Sequence, residues 1–86
     1  MSAWTEEWQR ELYRRHARKA YKRAIRFLKD HEEEIVALGE RRLLEGYALY
    51  EDRMFHWSYN ELRQNELEEA ADLVVYGVCG IAKGWK

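Results

Sequence analysis

Apolar residues recur at three- and four-residue steps over the first third of the chain, at Trp4, Trp8, Leu12, Tyr13, Ala17, Ala20, Tyr21, Ala24, Ile25 and Leu28. Those steps follow one side of an α-helix, because 3.6 residues complete a turn. Arg15, Lys19, Lys22, Arg26 and Lys29 keep the same spacing on another side. Ser2 or Thr5 offers an N-cap. Lys29 is followed by Asp30, Glu32, Glu33 and Glu34, which reads as one helix ending and a second beginning. Cations suit a helix C-terminus and anions an N-terminus because the backbone dipoles align. Asp30 with Glu33 has the spacing of a capping box. With no Gly or Pro at this point, a single bent helix is the alternative.

The second helix is expected to run to about Tyr50, with Ile35, Val36, Leu38, Leu43, Leu44, Tyr47 and Tyr50 turned inward. Gly39 and Gly46, seven residues apart, would allow a close helix crossing on nearly one face. The third start is the best marked. Ser58 and Glu61 form a capping box, and Trp57 can staple onto Leu62. That helix continues through Leu67, Ala70, Ala71, Val74, Gly77, Val78 and Ile81, with Gly80 or Gly84 to end it. The prediction is one all-α domain over residues 1–86, a three-helix antiparallel bundle with helices at about 4–29, 31–50 and 59–82.

Between residues 70 and 82 the only charge is Asp72. A helix apolar on every side needs cover on every side, and two neighbours of this length cover two. A homodimer is therefore expected, since two-fold assemblies are the commonest, with Val74, Val75, Val78 and Ile81 at the interface. The loop residues Met54, Phe55, His56 and Trp57 are expected to close the end of the bundle.

Composition agrees with a small folded domain. At 86 residues there is one modest core, and 47% hydrophobic with 14% aromatic residues is too apolar for a disordered tail. The absence of proline and the scarcity of glycine, with five in the chain, favour helix. The net charge of −1 conceals a division. Residues 1–29 carry nine basic and three acidic residues, whereas residues 30–86 carry six basic and thirteen acidic ones. The basic first helix is expected to lie beside acidic neighbours in its own chain or in a partner subunit. Nucleic-acid binding is a lesser alternative, because no helix-turn-helix, zinc-finger or glycine-rich phosphate-loop pattern accompanies the charge. Contact with a membrane surface through Trp4, Trp8 and Phe27 is weaker still, since a chain this short needs those aromatics in its core. The longest apolar run, residues 73–82, is far below the roughly 20 residues a spanning helix needs. Neither the acidic N-terminal segment nor the single cysteine suggests export, so a cytoplasmic setting is expected.

Candidate chemistry is thin. His16, His31 and His56 share no metal-binding spacing, and Cys79 in its apolar run is expected to be inert. No nucleophile–base pair can be nominated, so no catalytic residue and no cofactor are assigned. Glu68, Glu69 and Asp72, three and four residues apart, can present carboxylates along one side of a helix, an arrangement that holds Mg²⁺. The stretch Glu68-Glu69-Ala70-Ala71-Asp72-Leu73-Val74-Val75-Tyr76 resembles the Glu-x-x-Asp motif of MazG-like all-α nucleotide pyrophosphohydrolases. That resemblance implies Mg²⁺-dependent cleavage of nucleoside triphosphates, with Glu69 and Asp72 as metal ligands and Glu33 or Glu34 in support. The family also carries a Glu-x-x-Glu pair, which Glu32-Glu33-Glu34 followed by Ile35, Val36 and Ala37 does not supply.

A longer resemblance runs over residues 52–82, through Arg53-Met54-Phe55-His56-Trp57-Ser58, Glu61-Leu62, Leu67-Glu68-Glu69-Ala70-Ala71-Asp72 and Val75-Tyr76. It is similar to short helical proteins encoded by actinobacterial phages, and implies an accessory factor in the host cytoplasm that binds a host protein. Together the residues favour a non-catalytic, homodimeric interaction protein over an enzyme. The side of the first helix bearing Arg15, Lys19, Lys22 and Arg26 is where an acidic protein partner is expected.

Overall fold

The computed structural model describes residues 5–50 and 53–84, with side chains for 5–46 and 55–84. Three α-helices follow in order: α1, Glu6–Asp30; α2, Glu32–Tyr50; and α3, Tyr59–Ala82. A 3₁₀ turn, Arg53–His56, lies between α2 and α3. The all-α, three-helix prediction is met, each boundary within two residues. The proposed cap Ser2, and Trp4, Tyr47, Tyr50 and Met54 as core or loop-closing side chains, lie outside the described residues and side chains.

Two of the helix starts are set by the capping chemistry the sequence advertises. The Trp8 backbone N–H donates to Thr5 Oγ1 at 3.2 Å, and the Glu61 N–H donates to Ser58 Oγ at 3.2 Å. Each bond satisfies an N–H that the helix itself leaves without an acceptor. At the other end of α3, the Lys83 and Gly84 N–H groups donate back into the last turn, and Gly84 takes φ +97. Gly84 therefore ends α3, whereas Gly80 is buried within it.

The junction of α1 and α2 is a break, but Asp30 is not its cap. Asp30 is the last residue of α1, and His31 alone forms the joint. The Phe27 carbonyl accepts from the His31 backbone N–H at 3.0 Å and from its Nδ1 at 2.9 Å. The His31 ring also stacks on Phe27, with centroids 4.2 Å apart. The His31 carbonyl then accepts from the Ile35 N–H at 2.9 Å and opens α2. A continuous helix from residue 6 to residue 50 would be about 67 Å long, yet the longest dimension of the molecule is 44 Å. The chain turns at His31.

The core is the seam between antiparallel α1 and α3. Ala20, Ala24 and Val78 are its buried apolar residues, with Gly77 and Gly80 buried beside them. Small residues let the two backbones approach closely. A Cβ built on Gly77 would lie 2.9 Å from the Ala20 Cβ. The close crossing that Gly39 and Gly46 would allow is not made there, since both face open space, and Gly77 makes one instead. α2 has a slighter contact with α1. Its supposedly inward residues are turned outward: Val36, Leu38, Leu43 and Leu44 are exposed, and Ile35 is half-buried. The reason is the one-residue joint, which does not allow α2 to double back along α1 as a hairpin with a longer turn would.

Candidate interaction surface

The seam buries so little that most of the molecule's large apolar side chains remain at the surface. Among the described residues, no large side chain is fully buried. A compact chain of this size exposes about 5,400 Å², whereas this one exposes 8149 Å². Its radius of gyration is 16.1 Å, against about 12 Å for a compact domain of the same length. The difference is not confined to one end. Tyr21, Leu28, Val36, Leu44, Leu67 and Tyr76 are all among the exposed residues. Trp8 and Phe27, expected in the core, are 42% and 38% exposed, and Phe55 is exposed at 71% rather than closing the bundle. Trp57 is half-buried and Leu62 exposed at the staple positions.

Apolar grooves flank the α1–α3 seam. One is lined by Tyr13, Ala17, Tyr21 and Val74, with Arg18 and Lys22 at its rim. It opens where Tyr13, Ala17 and Tyr21 recur at four-residue steps on the side of α1 next to the seam. A larger concavity at the start of α1 brings Leu12 and Tyr13 together with Val75, Val78, Cys79 and Ala82. The four residues expected at a subunit interface divide accordingly. Val78 lies in the intrachain seam at 4% exposure, Val74 and Ile81 are half-buried at its margin, and Val75 is 46% exposed. Cys79, expected inside an apolar run, is on the exposed side of α3.

Arg15, Lys19, Lys22 and Arg26 are all exposed along α1. Among the described residues, none of the four pairs with an acidic side chain of α2 or α3. Arg15 is 3.8 Å from Glu11 of the same helix, and Lys19, Lys22 and Arg26 form no ion pair with a described residue. Arg10 pairs with Glu6 at 2.7 Å, likewise within α1. Trp8 falls on the same side as Arg15, Lys19 and Arg26, at helical steps of seven and four.

Glu68, Glu69 and Asp72 are exposed on α3, and the Gln64 amide donates to Glu68 at 3.2 Å. Among the described residues, no group of three or more His, Cys, Asp or Glu side chains converges as a metal site. Nor is any described helix long and apolar enough to cross a membrane. The fold and surface thus define a small all-α protein whose open feature is an uncovered apolar face beside a basic helix side. No protein-family model, curated protein or solved structure matches the chain.

Proposed function

We propose that this chain is a protein-interaction module that works as a homodimer and takes an acidic protein partner along the basic side of α1. The supporting observation is the exposed area, which exceeds that of a compact chain of this size by roughly 2,700 Å². Obligate interfaces bury about 2,000–5,000 Å² in total, or about 1,000–2,500 Å² per partner, so a surplus of this size in one chain matches the upper end of what a missing partner would cover. An apolar surface left in water on this scale would instead promote nonspecific association. Arg15, Lys19, Lys22 and Arg26, together with the half-exposed indole of Trp8, supply charge and an aromatic anchor for an acidic surface. The same proposal sets the partner in the cytoplasm of a host cell, as the resemblance of residues 52–82 to small phage proteins implies.

Affinity purification from the native cellular background, with the wild type beside a variant carrying Glu at Arg15, Lys19 and Arg26, the three that do not rim the groove beside the seam, tests the partner face. The variant should retain its helical circular dichroism spectrum and lose the acidic protein that the wild type recovers. Equal recovery by both would remove this side of α1 from the interaction.

A further inference from the structure

We propose that the groove of Tyr13, Ala17, Tyr21 and Val74 is the docking site for α2 of a second copy of this chain, so that two protomers exchange their second helices. The inference rests on the homodimer reading above and specifies what the dimer is made of.

Both halves of such a contact are exposed in a single chain. Val36 and Leu43, seven residues apart, lie on one side of α2 and are exposed at 69% and 49%. The groove is an apolar channel beside the seam that no described helix of the same chain fills. A dimer formed only by pressing two α1–α3 seams together would leave α2 uncovered. Reciprocal insertion of α2 covers the groove and the helix in both protomers at once, and joins equivalent surfaces about a two-fold axis.

Charge selects the same pairing. α2 carries five glutamates against two arginines, and α3 five acidic residues against one arginine. α1 carries nine basic residues against four acidic ones. An acidic helix is therefore drawn to the α1 side of the seam and repelled from the α3 side. The match is local too. Glu33 and Glu40 lie one turn before Val36 and Leu43 and flank the same stripe, while Arg18 and Lys22 rim the groove.

The joint explains why the helix comes from another copy. Antiparallel helices in one chain need a connection of about two to five residues. Here one residue, His31, is held by both its N–H and its ring to the Phe27 carbonyl. α2 is directed away from its own groove and toward another's, the geometry that favours exchange of an element between protomers.

Sedimentation and light scattering over a dilution series test this. The wild type should be a dimer. The variant V36E/L43E should raise the dimer dissociation constant by about 100-fold, as expected when a charge replaces an apolar interface contact. The variant R18E/K22E should also weaken the dimer, and adding Glu33→Lys and Glu40→Lys to it should restore pairing. This charge exchange decides the question even if V36E/L43E does not fold. A dimer indifferent to the α2 and rim substitutions would overturn helix exchange and leave self-association standing. A wild-type monomer at every concentration would overturn both.

Discussion

Gly77 and Ala20 are in contact so close that a Cβ on the glycine would sit 2.9 Å from the alanine Cβ and 3.4 Å from its Cα. Neither atom can move aside, because Ala20 Cβ is fixed to the backbone of α1. The α1–α3 seam therefore depends on glycine at this point. Gly77→Ala should separate the helices despite the better helix propensity of alanine. The expected net loss is about 1–2 kcal/mol, since overpacking costs about 1–3 kcal/mol and propensity returns up to about 1 kcal/mol. A thermal melt should fall by roughly 4–8 °C per kcal/mol. A melting temperature that rises would mean the seam is looser than this contact implies.

Lengthening the joint should change the assembly. A three-residue Gly-Asn-Gly insertion after His31 releases α2 from its one-residue connection and gives it enough chain to fold back on its own α1–α3 pair. The expected product is a monomer with unchanged helix content, read by light scattering and circular dichroism. Short hinges favour exchange and longer ones relieve it. An inserted chain that remains as dimeric as the wild type would show that the joint has no part in the choice.

Val75 and Val78, three residues apart on α3, should respond differently to charge. Val78 is in the intrachain seam and Val75 is half-exposed. Val78→Asp buries an unpaired carboxylate and should cost helicity and cooperative melting. Val75→Asp should leave both the spectrum and the cooperative melt intact. If the two variants behave alike, the seam is wrongly placed on α3.

Ser58→Ala removes the hydroxyl that accepts from the Glu61 N–H. The expected cost is about 1 kcal/mol, with fraying confined to the first turn of α3. Faster amide exchange at Asn60, Glu61 and Leu62 would show it, and unchanged exchange there would assign the helix start to another group.

Helix identity was legible in the sequence because it is local. Period, propensity and caps act over three or four neighbours, and Thr5, Ser58 and Gly84 do what their residue types allow. The division of charge between the first helix and the rest was legible for the same reason. The candidate surface was legible only in part. Arg15, Lys19, Lys22 and Arg26 share a side by spacing alone, but that none of them pairs with a described residue of α2 or α3 depends on where those helices lie.

Which faces meet was decided by tertiary structure. Gly39 and Gly77 look alike in the sequence, and only the second touches another helix. Val36 and Leu43 have the spacing of core residues, yet the turn at His31 carries them outward. A pattern of apolar positions states that a face needs cover. It does not say whether the cover is in the same chain, because that follows from the reach of a connection and the shape of the surface opposite.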